Sequence, residues 1–155
     1  MSGAPESILS DAEQRDLQRL AGFMVPADAA FGVPGADDAL IFDDILRSLG
    51  RDLAPVRLAL ARLRDLAGGD FATLDDAAAE TAAMALLATQ DATTVALGRA
   101  VLQCYYRDDR VVRSLGLEPR APFPLGHTLE QGDWSLLEAV RGRARMWRDL
   151  DGTGR

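Results

Sequence analysis

Cys104-Tyr105-Tyr106-Arg107-Asp108-Asp109-Arg110-Val111-Val112-Arg113-Ser114-Leu115-Gly116 leads directly into Leu117-Glu118-Pro119-Arg120-Ala121-Pro122-Phe123-Pro124-Leu125-Gly126-His127. The first stretch has helical patterning. Asp108 is placed to cap a short helix bearing Val111, Val112 and Leu115, and Gly116 to end it. The second stretch carries Pro119, Pro122 and Pro124. Each fixes φ and removes a backbone donor, so the segment reads as an extended strap. Phe123, and Trp134 within Gly132-Asp133-Trp134-Ser135-Leu136-Leu137, are its aromatic anchors. A proline-rich strap loses little entropy on being ordered against a surface. That surface is either the chain's own core or a partner protein.

Working back from the strap, the pattern is helical throughout. Ser10-Asp11-Ala12-Glu13 is a capping box, followed by Leu17, Leu20, Ala21 and Met24 at helical spacing, with Pro26 closing the element. A turn-rich loop from Ala27 to Gly35 leads to a second helix from about Asp37. Its apolar stripe is Ile41, Phe42, Ile45, Leu46 and Leu49, with Gly50 past its end. Leu53, Val56, Leu60 and Leu63 mark a third helix, with Pro55 in its first turn and Gly68-Gly69 as its stop. Thr73 is placed to cap an alanine-rich fourth helix through Leu87, and a fifth runs from about Asp91 to Tyr106. Small residues along these two permit close helix approach. No alternating strand pattern and no internal repeat is found. The expectation is an all-α bundle of five to six helices over residues 9–116, with an extended C-terminal strap and segment over 117–150, in a single domain.

Composition narrows the function classes. The 155 residues contain 48% hydrophobic and 26% charged residues, ordinary for a globular domain with a real core. A net charge of −7 and a pI near 4.6 disfavour nucleic acid, whose binding needs clustered basic charge to displace counterions. All 17 basic residues are arginine. The single cysteine, Cys104, excludes an internal disulfide and reads as buried and inert. No apolar run reaches the roughly 18 residues of a membrane span. The start of the chain shows no export signal, so the expected location is cytoplasmic, or periplasmic if a partner carries the chain or a signal has been trimmed.

Catalytic chemistry finds few candidates. His127 is the sole histidine, and with one distant cysteine it makes neither a nucleophile–base pair nor a zinc site. The glycines form no phosphate cradle. Asp37-Asp38, Asp43-Asp44 and Asp75-Asp76 read as helix-start or solvated carboxylates. Tyr105 and Tyr106 are adjacent on a helix, so their side chains diverge by about 100°, one inward and one outward. Trp134 and Trp147 suit either a core or an interface, since aromatic residues dominate interface energetics. The tail from Arg141 to Arg148, with Arg143 and Arg145, is locally basic and reads as a solvated helix end or a salt-bridging contact.

Tyr105-Tyr106, Leu115-Gly116, Pro122-Phe123-Pro124-Leu125-Gly126 and Gly132-Asp133-Trp134-Ser135-Leu136-Leu137 together resemble the gluconate 2-dehydrogenase subunit 3 family. Leu9-Ser10 through Glu13, and Val25-Pro26-Ala27-Asp28, extend the likeness from about Leu9 to Val140. The resemblance implies a non-catalytic small subunit that binds, stabilises or matures a large FAD-dependent sugar or alcohol dehydrogenase of the glucose–methanol–choline class. A cytochrome c subunit often accompanies such complexes. It implies no cofactor in this chain, with the FAD in the partner. The twin-arginine signal carried by many members is absent from this sequence. The partner-binding residues expected on this reading are Tyr105, Tyr106, Pro122, Phe123, Pro124, His127 and Trp134. The alternative is a free-standing acidic helical adaptor or regulator unconnected with a flavoenzyme.

Overall fold

The computed structural model describes residues 9–121, 123–127 and 131–144. The chain divides into two units, one ending at Arg120 and the other beginning at Ala121. Among the described residues it is all-helical, with no strand and one isolated antiparallel bridge between Asp28 and Val33. No helix among them is long and apolar enough to cross a membrane.

The first unit holds α1 (Asp11–Met24), α2 (Ala39–Ser48), α3 (Leu53–Ala67), α4 (Asp76–Leu87), α5 (Ala92–Tyr105) and α6 (Asp109–Ser114). Short 3₁₀ turns at Gly50–Asp52 and Phe71–Thr73 join α2 to α3 and α3 to α4. Each of five α-helices starts under a side-chain oxygen. Ser10 and Glu13 form the reciprocal capping box of α1, and Asp38, Asp75, Asp91 and Asp108 cap α2, α4, α5 and α6. The cap of α4 is therefore Asp75, not Thr73. Thr73 lies in the preceding 3₁₀ turn, where its hydroxyl donates to the Asp70 carbonyl. Two of the paired aspartates, Asp38 and Asp75, are thus N-caps, while Asp43 pairs with Arg47 on the exposed side of α2 and the half-buried Asp44 pairs with Arg107 at 2.6 Å. Gly68 ends α3 in the left-handed conformation at φ 70°, with the amides of Gly68 and Gly69 returning to Asp65 and Arg64 carbonyls.

Helix α3 packs chiefly on α5 and α4, α2 packs on α5, and α1 lies on α3 and on the Phe71–Thr73 turn. Leu60, Leu63, Leu97, Leu86 and Phe71 are fully buried where these elements meet. Each such burial contributes about 1.5–3 kcal/mol. Ala79, Ala82 and Ala83 on α4, and Ala96 and Ala100 on α5, are also buried, which lets both helices approach α3 closely.

Two polar devices tie α1 to the α3–α4 connection. Asp16 is wholly buried, accepting from Arg64 Nε at 2.6 Å and from the Ala72 amide at 2.9 Å. Arg19 donates to the carbonyls of Phe71, Ala72 and Leu74, pairs with Asp76 at 3.0 Å, and lies 5.7 Å from the Phe71 ring centroid. No buried side-chain nitrogen or oxygen among the described residues lacks a hydrogen-bond partner. This satisfaction offsets the desolvation cost of setting a polar cluster against an apolar core.

The second unit contains a 3₁₀ turn, Trp134–Leu137, continuing into a short helix α7, Glu138–Arg141. The segment expected to be extended is therefore helical over these eight positions, with Asp133 accepting from the Ser135 amide at its start. Asp133-Trp134-Ser135 carries an N-cap signal as well as an aromatic anchor, which explains the difference.

A candidate docking groove

The tyrosine pair ends α5. Tyr105 is 5% exposed and Tyr106 is 56% exposed, the inward and outward split that adjacent helical positions impose. Their rings meet edge to face, with centroids 5.2 Å apart and planes at 84°. Burial is the main cause that pushes the Tyr105 phenol above its ordinary pKa, with Tyr106, Asp108 and Asp28 adding to it. Cys104, one residue earlier, is buried, and its thiol is pushed up chiefly by that burial. A protonated buried thiol is a poor nucleophile.

Facing the pair is the loop between α1 and α2, which is tightly built. Asp28 and Val33 exchange two backbone hydrogen bonds of 3.1 and 3.0 Å. Asp28 Oδ1 also accepts from the amides of Ala30 and Phe31, at 2.8 and 3.3 Å. Gly32 provides the positive φ of 64° that such a reversal needs. Phe31 is thereby held at the tip, 72% exposed. The base of the loop is closed by the Ala36 amide donating to the Val25 carbonyl at 2.9 Å.

The third wall is α6, which brings Val111, Ser114 and Leu115 alongside the tyrosines. Arg110 fixes it in place. Its guanidinium donates to both oxygens of Asp38, at 3.2 and 2.7 Å, and to both of Asp108, at 3.0 and 2.9 Å. One cation thus joins the N-cap of α2 to the N-cap of α6. Its hydrogen bonds are the main cause holding both carboxyls below the usual aspartate range.

Between these walls lies an open groove of about 350 Å³, with Val33, Pro26 and Asp28 completing its lining. The walls are largely apolar, and the volume is at the small end for ligand sites. Among the described residues, no group of three or more His, Cys, Asp or Glu could hold a metal ion.

Of the residues expected at the partner surface, the structure brings Tyr105 and Tyr106 together in this groove. Phe123, Pro124, His127 and Trp134 belong to the second unit and are exposed, Phe123 by 87% and Trp134 by 63%. Pro122, Arg145, Trp147 and Arg148 lie outside the described residues. Sequence reasoning missed Phe31, Asp28 and the Arg110 clamp. A signal for the loop is present in Asp28-Ala29-Ala30-Phe31-Gly32, an aspartate able to bond its own following amides ahead of a glycine. The Arg110 clamp has no local signal, because Asp38 is 72 residues away. Comparison with protein-family models, with curated proteins and with solved structures gives no match.

Proposed function

We propose that the chain is a non-catalytic docking subunit that binds and stabilises a larger FAD-dependent oxidoreductase of the sugar- or alcohol-oxidising class. The observation that carries the reading is the groove itself, where Phe31, Tyr106 and Leu115 stand more than half exposed on a frame of hydrogen bonds and ion pairs. Clustered exposed apolar side chains mark interaction surfaces, and tyrosine and other rigid aromatics supply contact area at low entropy cost. The exposed Phe123 and Trp134 offer two further anchors on the second unit. The choice of a flavoprotein partner rests on the sequence resemblance of the Tyr105-Tyr106, Pro122-Phe123-Pro124 and Gly132-Asp133-Trp134 motifs. On this reading the flavin, the substrate site and the acid–base groups all belong to the partner, and a cytochrome c is a further candidate member of the assembly. The location follows the partner's route, cytoplasmic by default.

Co-expression tests the reading. The large subunit made alone should be poorly soluble or poorly loaded with flavin, and addition of this chain should restore both properties. A large subunit that is equally soluble, loaded and active alone removes the stabilising role.

A further inference from the structure

We infer that the Tyr105–Tyr106 groove receives an arginine side chain from the partner protein, flanked there by apolar residues. The inference rests on the docking reading only in taking the occupant to be a protein segment. The groove combines two features. Its aromatic walls include two rings set at 84° to one another and the exposed Phe31 ring at the loop tip. Tyr105 is buried against the Tyr106 edge-to-face contact, so the ring surface open to the groove is that of Tyr106 and Phe31, and ring faces attract cations. Its second feature is a carboxylate without a counter-ion. Asp28 lines the groove, its Oδ1 is engaged by the loop amides, and its Oδ2 has no partner among the described residues.

The neighbouring cations are already committed. Arg110 is shared between Asp38 and Asp108, and Arg113 pairs with Asp109 at 3.1 Å. The local balance is therefore negative, on a chain of net charge −7. A purely apolar anchor would cover Asp28 and leave its charge desolvated and unpaired, which is costly. An anion would meet that charge directly. A guanidinium stacks on aromatic faces, offers a planar fork to a carboxylate and is weakly hydrated, so it answers both features. Lysine offers the charge without the stacking plane. The volume of about 350 Å³ is roughly a dozen times the share of one water in the liquid, enough for one long side chain and its flanks but small for a nucleotide cofactor.

The test uses the isolated full chain and acetyl-Leu-Arg-Leu-amide as probe, with the Leu-Gln-Leu peptide and tetramethylammonium as comparisons. The Arg peptide should bind saturably, shifting the aromatic NMR signals of Tyr105 and Tyr106, and should weaken as salt rises. Asp28→Asn keeps an oxygen for the loop amides, so its melting temperature should match wild type while its affinity falls about fivefold or more. Tyr106→Ala should lose affinity to a similar degree while remaining folded, its melting temperature lowered only by the lost edge contact with Tyr105. Equal binding of the Arg and Gln peptides, or no shift at either tyrosine, overturns the assignment. Tetramethylammonium binding as tightly as the peptide would make the site a small-cation cage and also overturns it. Self-association of the chain abolished by Tyr106→Ala would identify a second copy as occupant, with the same result. None of these measurements involves the flavoprotein, so failure here is distinguishable from failure of the docking reading.

Discussion

Arg110 and Asp38 form a two-point ion pair, Nη2 to Oδ1 at 2.7 Å and Nη1 to Oδ2 at 3.2 Å, that joins the start of α6 to the start of α2. Because Asp108 takes the same guanidinium, α6 is held at both its own cap and that of a distant helix. One wall of the groove therefore depends on this arginine. Arg110→Ala should lower unfolding free energy by about 1 kcal/mol, a modest figure because the side chain is partly solvated. Arg113→Ala removes only an exposed pair one turn apart and should cost about 0.5 kcal/mol or less. Urea titrations of the two variants decide this, and equal losses would show that the clamp adds nothing.

The same carboxylates set an acid limit. Asp38 and Asp108 are depressed by Arg110, and Glu13 chiefly by the Ser10 amide. A depressed carboxyl contributes stability that is present above its unfolded value, near 4, and is lost as pH falls through its folded value. Stability should thus be level from about pH 6 to 5 as far as these groups are concerned, and fall below about pH 4. In Arg110→Ala the fall should be shallower, because two depressed groups return toward ordinary values. Parallel pH profiles for the two proteins would count against the assignment.

Asp16 is a sharper structural test. Its carboxylate lies in the interior and holds both Arg64 and the Ala72 amide. Asp16→Ala strips the Arg64 guanidinium of its partner, leaves the Ala72 amide only its longer 3.3 Å bond to Asp70, and should cost about 2–4 kcal/mol, while Asp16→Asn retains one acceptor and should cost less. A loss under about 1 kcal/mol for the alanine variant would show that water replaces the carboxylate freely.

Much of this architecture is legible in the sequence for local reasons. Ser10 with Glu13, Asp91 and Asp108 announce helix starts because caps act within three residues, and Gly68 and Gly116 announce stops because they take up φ of 70° and 73°. That one tyrosine of the pair points inward and the other outward follows from helical geometry, and the packing of α5 makes Tyr105 the inward one. Thr73 misleads because Thr and Asp compete for the same role, and Asp75, two residues on, takes the α4 amide. Asp16 and Arg19 read as ordinary polar positions on α1, and only tertiary packing against Arg64 and the Phe71–Thr73 turn makes them interior links. The groove is hidden for a similar reason. Its walls come from the loop after α1, the end of α5 and α6, and no local pattern records their meeting.

Trp134 separates two roles for the second unit. Its side chain is 63% exposed, with Nε1 at 3.5 Å from Gln131 Oε1. Trp134→Ala should leave the melting temperature of the free chain unchanged while weakening a complex by about 2 kcal/mol or more, the scale of an aromatic hot spot. Arg141→Ala, which breaks only an exposed pair with Glu138, should weaken it by about 1 kcal/mol or less. A large drop in the free chain's melting temperature would make Trp134 a packing residue instead.

The most direct test of the docking account is the affinity of the purified chain for the large flavin-dependent subunit, measured by titration for wild type and for the Phe31→Ala, Tyr106→Ala double variant. Both side chains are more than half exposed in the free chain and only the Tyr106 edge contact with Tyr105 is lost, so the double variant should stay folded and melt within several degrees of wild type. The account predicts a stoichiometric complex for wild type and an affinity at least about thirtyfold lower for the variant. Equal affinities would contradict the groove as the docking surface, and no complex with a flavoprotein would contradict the proposed function itself.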